Sequence, residues 1–595
     1  MRKYRLLSFL LILALCLSLT GCEKESKVQA AMEAMVGENR EIVGEYDESL
    51  SARCSNGTFV GQENDSVISY KGIPYAQPPV GKLRWKEPVS AADDDGVYEA
   101  YYYGNSPIQS KWPSEVASYY HQGEDCLTLN VWSNETGPSE GKTVMVFFHG
   151  GSFGWGGTCD PMYDGENLVQ KYPDVVLVTV ESRLGLLGYV DFTEVPGGED
   201  YPTSGNLGLL DQVCALQWVQ KNISAFGGDP DNVTIFGESA GGGSVSLLPL
   251  VEGTEGLFRR VIAQSGSVSL TFSREESQKQ TQVLLEESGC TNMAELQMLS
   301  EEEIHRIIEE VSDFNDFPER DGVVLSEDLY RAWEQERLAD IDLLIGTNAD
   351  EVRYWVNEMG YYSPMVPGLF VYTHAFPMLY ETNLQQMTEE ERAAVETLMS
   401  MQSGAKVWRL TELYNEMVMR IPAMEQAVRH TRSGGKSFTY YWTLPGENQV
   451  LGACHSIELK YVFNNPQVST VTGSDYNQRL GDIVQDCWVN FARTGDPSTQ
   501  SLTWTPYTPE DRLTMVLGEE CYMDSDIKKE QRELMEPLLH HYFNGCYAHM
   551  SFMVPQTARI AAQLVATLVL FVATIIALVR LFRRLKRRQR ASEGG

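Results

Sequence analysis

The sequence has no Cys-x-x-Cys pair, no His-Glu-x-x-His, no internal repeat and no obvious linker between residues 51 and 545. Its 11 cysteines among 595 residues are scattered and fit neither a disulfide scaffold nor a cysteine-ligated zinc site. The 9 histidines are spread along the chain, and neither a metal site nor a cofactor is expected. Basic residues are scarce wherever the chain is globular in composition. Eleven of the 47 Lys and Arg lie in 1–22 and 559–595, where Glu593 is the only acid. The segment between them carries 36 basic against 81 acidic residues, a balance of −45. Such a body repels phosphate backbones and anionic lipid, so nucleic acid is not an expected ligand. What remains is 43% hydrophobic and 22% charged, the make-up of a folded body large enough to bury a core without staples.

Long hydrophobic runs occur only at the two ends. Arg2, Lys3 and Arg5 precede an apolar stretch from Leu6 to about Leu19, the pattern of an export signal over residues 1–22. It closes on Leu19-Thr20-Gly21-Cys22, which resembles the lipobox of bacterial lipoproteins and implies lipidation at Cys22. An ordinary signal peptide that holds a cysteine, or an uncleaved anchor, is the alternative. Residues 560–579 form a second apolar run, interrupted only by Gln563, Thr567 and Thr574, long enough for a helix across a ~30 Å hydrocarbon core. Arg580, Arg583, Arg584, Lys586, Arg587, Arg588 and Arg590 follow it. That cluster predicts a cytoplasmic tail at 580–595 and an acidic body outside the cell membrane, with a juxtamembrane segment at 546–559.

Residues 23–50 are polar and read as a tether, partly helical. From Ser51 to about residue 545, strand-like and helix-like stretches alternate. Val144–Phe148, Val175–Val180, Val233–Phe236 and Leu343–Ile345 are short, apolar on both faces and rich in β-branched or aromatic residues, as strands buried on both sides are. Asp211–Ile223 has helical spacing, and Arg274 to about Val311, rich in Glu and Gln, predicts surface helices. One large α/β domain with a mostly parallel sheet flanked by helices is expected.

Gly237-Glu238-Ser239-Ala240-Gly241 directly follows the third of these strands. A strand, a glycine-permitted sharp turn and a helix N-terminus would lift the Ser239 hydroxyl off the sheet edge and favour developing negative charge there. His149-Gly150-Gly151-Ser152-Phe153 closes the first strand, where a glycine loop can aim backbone N–H groups at an oxyanion. The donors expected are the N–H groups of Gly151, Ser152 and Ala240. A plain glycine turn is the alternative.

Three dispersed segments then make a resemblance specific: Glu124-Asp125-Cys126-Leu127-Thr128-Leu129-Asn130-Val131, Gly205-Asn206-Leu207-Gly208-Leu209-Leu210-Asp211-Gln212, and FGGDPDNVTIFGESAGG at 226–242. In this order they resemble the type-B carboxylesterase/cholinesterase family, para-nitrobenzyl-esterase-like bacterial members included, from about Gly61 to Asp496. The resemblance implies an α/β-hydrolase fold and a serine esterase acting on small-molecule esters without a cofactor. It implies Glu351 as the acid, in Gly346-Thr347-Asn348-Ala349-Asp350-Glu351, and His455 as the base, in Gly452-Ala453-Cys454-His455-Ser456-Ile457-Glu458-Leu459. The chemistry asks for the same parts, a base to take the serine proton and a carboxylate to hold the imidazole. From the residues alone Asp350 is an equal candidate for the acid. The alternative for His455 is a packed histidine. His121, His305, His374, His430, His540, His541 and His549 have no such setting and read as structural or surface. Arg84 and Glu124 match a buried salt bridge of the family, and Glu238 matches a residue that tunes charge near the oxyanion.

The chain also departs from that pattern. Glu181-Ser182-Arg183 stands where Asn-Tyr-Arg is usual, and Ser152 where a third glycine is common. The usual partner of Cys126 is missing, with Pro107 near its place, and Cys290 faces Met298, leaving Cys54 as a possible partner for Cys126. Trp112 is only loosely placed against the choline-site tryptophan, so a choline ester is not supported. The layout (export signal, esterase-like body, one spanning helix) also resembles neuroligins, which implies a catalytically idle adhesion protein as the second reading. Every catalytic position being filled, a short tail and the lipobox favour a bacterial, membrane-anchored esterase. In a eukaryote the sequons at Asn56 and Asn222 would be open to glycosylation.

Overall fold

In the computed structural model of the chain, the described residues are 37–110, 121–137, 141–310, 317–354, 376–468, 473 and 475–543. The leader 1–22 with Cys22, residues 546–559, the apolar run 560–579 and the tail 580–595 lie outside them, as do Trp112, His374 and His549. Among the described residues no helix is long and apolar enough to cross a membrane. The chain divides after Gly545 into two units, and the description concerns the first.

Eleven strands form one sheet: β1 (Gln62–Asn64), β2 (Val67–Pro74), β3 (Thr128–Ser133), β4 (Lys142–Phe148), β5 (Val175–Val180), β6 (Gly228–Glu238), β7 (Arg260–Gln264), β8 (Asp342–Asn348), β9 (Ser437–Trp442), β10 (Leu513–Leu517) and β11 (Tyr522–Ser525). Their order is β11-β10-β9-β8-β7-β6-β4-β5-β3-β2-β1. All pairings from β5 across to β10 are parallel. Those at the two margins are antiparallel. The central strands are buried along nearly their whole length because helices cover both faces, which is why β5 and β9 carry almost no charge. The margin strand β1, Gln-Glu-Asn, is exposed throughout and polar, as an unprotected edge must be.

The expected strands fall on β4, β5, β6 and β8. The helix expected at 211–223 is α1 (Leu207–Asn222), with most of its residues buried. α2 (Ala240–Leu247) follows β6 directly and is buried at every position. The stretch from Arg274 gives α3 (Arg274–Ser288), a one-turn helix at Met293–Leu296 and α4 (Glu301–Glu310). α3 opens on a capping box in which Ser273 and Glu276 satisfy each other's backbone N–H. Later come α5 (Glu389–Met401), α6 (Ile421–Arg432) and α7 (Gln478–Thr494).

The described part of the polar tether lies on the body, with an antiparallel bridge from Glu41 to Tyr98 and a 3₁₀ turn at Glu48–Leu50 in place of a longer helix. The Asn39 amide donates to the carbonyls of Lys71 and Tyr102, each at 2.9 Å, and its oxygen accepts from the N–H groups of Tyr101 and Tyr102. All eight described cysteines are free thiols, so the possible Cys54–Cys126 bond does not form. The two sit among different neighbours: Cys54 beside Tyr70, Cys126 beside Asp211, Glu181 and Arg183. Both sequon asparagines are buried: Asn56 accepts from the Trp218 indole and Asn222 from the Ser55 N–H. Neither is open to glycosylation in this fold.

Candidate active site

The parallel register brings four strand ends to one edge of the sheet. Phe148 of β4 pairs with Gly237 of β6, Glu238 of β6 with Gln264 of β7, and Gln264 with Gly346 of β8. The loops leaving β4, β6, β7 and β8 therefore open side by side, at the carboxyl edge where α/β sheets place their ligands.

Ser239 occupies the turn between β6 and α2 with φ 58° and ψ −121°. A non-glycine residue pays about 1–3 kcal/mol to hold such a backbone, so its surroundings must fix it. Its N–H donates to the Gln264 carbonyl at 2.9 Å, and its own carbonyl accepts from Gly243 at 2.8 Å. The glycines on either side allow the chain to come close. A Cβ on Gly241 would lie 1.9 Å from the Phe148 carbonyl oxygen.

The loop after β4 runs back toward this turn. A Cβ on Gly150 would stand 3.1 Å from the Ser239 Cβ. Gly151, Ser152 and Phe153 all have positive φ (108°, 51° and 60°), so their peptide planes are turned away from the strand direction. Ser152 holds the left-handed conformation although it stands in place of glycine. The Gly151 carbonyl accepts from Gly154 and Trp155 at 3.0 Å each. The buried Phe153 ring packs on Tyr189 and Phe317, which anchors the far side of the loop. The N–H groups of Gly151, Ser152 and Ala240 donate to no acceptor among the described residues. Three free donors beside one serine are what an oxyanion requires.

His455, 2 % exposed, meets Glu351 through Nδ1 and Oε2 at 2.6 Å. Glu351 is fully buried, and its other oxygen accepts from the Ser265 hydroxyl at 2.6 Å and from the Asn348 N–H at 2.7 Å. The carboxylate is thus held from two sides with one oxygen left for the imidazole. Asp350 points elsewhere, accepting from the Ala453 N–H at 3.0 Å and pairing with Arg353 at 2.8 Å. Of the two adjacent acids, Glu351 is the one that bonds the histidine.

A second carboxylate faces the other side of the ring. Glu238 Oε1 lies 3.2 Å from His455 Nε2 and accepts from the Ser456 hydroxyl at 2.7 Å. Burial pushes the Glu238 carboxyl well above the usual range, although the His455 charge opposes this. Burial alone would lower His455, but Glu238 and Glu351 overcome it and hold the imidazole up at about 9. A third buried acid, Glu458, accepts from the Asn348 amide at 2.7 Å and the Gln264 amide at 3.2 Å, and Gln264 accepts from the Trp488 indole at 3.0 Å. Burial and then Glu351 raise the Glu458 carboxyl.

Sequence reasoning missed Ser265, Glu458 and a second acid–histidine contact. His149 Nε2 lies 3.3 Å from Glu181 Oε2, and its Nδ1 lies 2.7 Å from the Gly150 carbonyl. The only signal was the replacement of the usual asparagine by Glu181. Burial would lower the His149 pKa, but Glu181 raises it. Glu181 Oε1 accepts from the N–H and hydroxyl of Thr158 and from Ser106. The Arg84–Glu124 salt bridge is present and buried, with Nε 2.5 Å from Oε2, and Arg84 also donates to the Leu299 carbonyl. His430 is packed in the interior, where burial lowers it to about 4, while His121 is exposed and His305 half-buried. His540 and His541 both face Glu391.

A parallel α/β sheet with a serine at a strained strand–helix turn, free N–H donors beside it and a buried acid–histidine pair at the same edge defines the α/β-hydrolase class. Residues 48–535 match the carboxylesterase family, and the chain belongs to it. It is 32% identical to the para-nitrobenzyl esterase of Bacillus subtilis (strain 168) over 502 residues, 81% of this chain and 97% of that protein. It is 30% identical to the cholinesterase of Mus musculus over 507 residues, 76% of this chain and 80% of that one. Among solved structures, a carboxylesterase of Geobacillus stearothermophilus superposes with a TM-score of 0.71 at 32% identity, covering 82% of this chain and 99% of its own. A thermophilic PNB esterase gives 0.70 at 29% identity, over 82% and 100% of the two chains. The chain is a carboxylic-ester hydrolase.

Proposed function

We propose that Ser239, His455 and Glu351 form the catalytic triad of a serine carboxylesterase whose body stands outside the cell, tethered to the membrane at both ends. Ser239 attacks the ester carbonyl while His455 takes its proton. The N–H groups of Gly151, Ser152 and Ala240 hold the oxyanion, and Glu351 stabilises the imidazolium. His455 then protonates the departing alcohol, leaving an acyl-enzyme that water cleaves by the reverse proton path. The observation that carries the reading is the 2.6 Å contact of His455 with a Glu351 carboxylate already fixed by Ser265 and Asn348. The filled triad speaks against the idle, neuroligin-like reading.

The membrane part of the proposal rests on sequence: the leader ending at Cys22, the apolar run 560–579 and the basic tail 580–595. In it, a lipid on Cys22 and a spanning helix flank an acidic body on the outer side of a bacterial membrane, with the tail in the cytoplasm. The substrate class is a small-molecule carboxylic ester. Full-length protein in detergent should hydrolyse a short-chain aryl ester, and Ser239→Ala should lower kcat by roughly 10⁴-fold or more. An unchanged rate in that variant would sink the mechanism.

A further inference from the structure

One polar cluster outside the active site is built from residues the esterase reaction does not use. Glu391 sits in the first turn of α5, where Oε2 accepts from the Thr388 N–H at 2.7 Å in a capping box. Its other oxygen, Oε1, faces two imidazoles, lying 3.2 Å from His540 Nε2 and 3.4 Å from His541 Nε2. The two rings lie side by side with centroids 4.0 Å apart. All three ligand atoms fall within 4.8 Å of one another.

Both imidazoles turn a ring nitrogen toward the same carboxylate oxygen, and each of those nitrogens can present a lone pair to a cation. His540 Nδ1 lies 2.9 Å from the Pro537 carbonyl, which can only accept, so Nδ1 carries the ring proton. The Nε2 of the neutral ring then presents a lone pair to a carboxylate oxygen, which is also an acceptor. The buried His541 Nε2 turns to the same oxygen. Without a metal, one proton on exposed His540 and the Nε2–H tautomer of His541 serve the carboxylate. One divalent cation satisfies all three lone pairs.

We propose that Glu391, His540 and His541 bind a single divalent transition-metal ion of the zinc class. Bonds of about 2.0–2.1 Å from nitrogen and oxygen give a tetrahedral ligand–ligand edge of about 3.3–3.4 Å. The contacts of 3.2 and 3.4 Å have that length before any side chain moves. Two imidazoles and one carboxylate suit Zn²⁺, with Cu²⁺ and Ni²⁺ as competitors, and do not suit Mg²⁺ or Ca²⁺. The outer contacts are those of a ligand set: the Pro537 carbonyl fixes the His540 tautomer and Thr388 fixes Glu391. His540 is the exposed member, which leaves a fourth position open to water. The ion would pin the end of the catalytic body to α5, just before the chain leaves toward residues 546–595. The histidine pair is visible in the sequence, but Glu391 stands far upstream and no ligand spacing announces it.

The test is titration of untagged, EDTA-stripped full-length protein in detergent with Zn²⁺ by calorimetry, and with Co²⁺ by visible absorption. One equivalent of Zn²⁺ is expected, together with the intense bands of tetrahedral Co²⁺. Glu391→Gln and His540→Ala should each weaken binding at least tenfold, and His540→Ala/His541→Ala should abolish it. Short-chain ester hydrolysis, retained in the apo-protein and in each variant, shows that they are folded. Absence of stoichiometric binding, or binding undiminished in the double variant, overturns the proposal.

Discussion

At the scale of the residue, His455 lies between two carboxylates, one on each ring nitrogen. Glu351 on Nδ1 fixes the tautomer, and both it and Glu238 on the Nε2 side favour the protonated ring. A base works only when neutral, so activity should rise with pH through the His455 pKa. Because both carboxylates push that pKa up from 6.5 to about 9, the rise belongs well above neutrality, not near the value of a free imidazole. Glu238→Gln removes one of the two charges, and the midpoint of the kcat/KM profile should move toward acid by about one pH unit. A midpoint that stays in place would show that Glu238 does not act on the base. Glu351→Gln keeps the shape but not the charge, and kcat should fall roughly 10⁴-fold. Asp350→Asn, whose carboxylate serves Ala453 and Arg353, should stay within about tenfold of the parent, since exposed or half-exposed pairs of this kind contribute little. Equal losses in the two variants would contradict the assignment of the acid.

At the scale of the element, the site depends on how closely β4 and α2 approach. Gly241→Ala places a Cβ against the Phe148 carbonyl, so neither element can keep its place. A loss of about 3 kcal/mol is expected in denaturant unfolding. Gly253→Ala is the control: φ is 84° there but nothing lies within 4 Å, and the left-handed strain alone costs about 1 kcal/mol. Comparable losses at both positions would mean that the close approach does not matter. The same elements explain what could be read in advance. β4, β5, β6 and β8 were legible because strands buried on both faces carry no polar alternation. β1 was not, since Gln-Glu-Asn gives no apolar signal. The helix α1 was found, but its first turn was not, because Leu207–Leu210 continues the buried run without a capping side chain. Ser239 and the glycine loop were legible from local pattern. His455 and Glu351 needed the family resemblance, since contacts between distant strand ends leave no periodicity. Ser265, Glu458 and the Glu181–His149 contact were hidden for that reason, and Glu391 with His540 and His541 likewise.

At the scale of the whole molecule, the acidic body and the basic ends make a statement about place that the catalytic geometry does not. A body with 36 basic against 81 acidic residues is repelled by an anionic inner leaflet, whereas the tail after residue 579 is attracted to it. The full chain should therefore stay with the membrane fraction through carbonate extraction, and added protease should degrade the body in intact cells. Deleting residues 560–595 should leave a protein held by lipid alone, and the further change Cys22→Ser should weaken its retention. Mass spectrometry of the mature N-terminus should find a lipid-modified Cys22. Protein recovered wholly in the soluble fraction would contradict both anchors.

The assignment of Ser239 as nucleophile is tested most directly by covalent trapping. A fluorophosphonate probe, added to the full-length protein and followed by proteolysis and mass spectrometry, should modify one serine, in the peptide containing Ser239, with loss of esterase activity in step with labelling. Labelling at another serine, or full labelling of the Ser239→Ala variant, would contradict it.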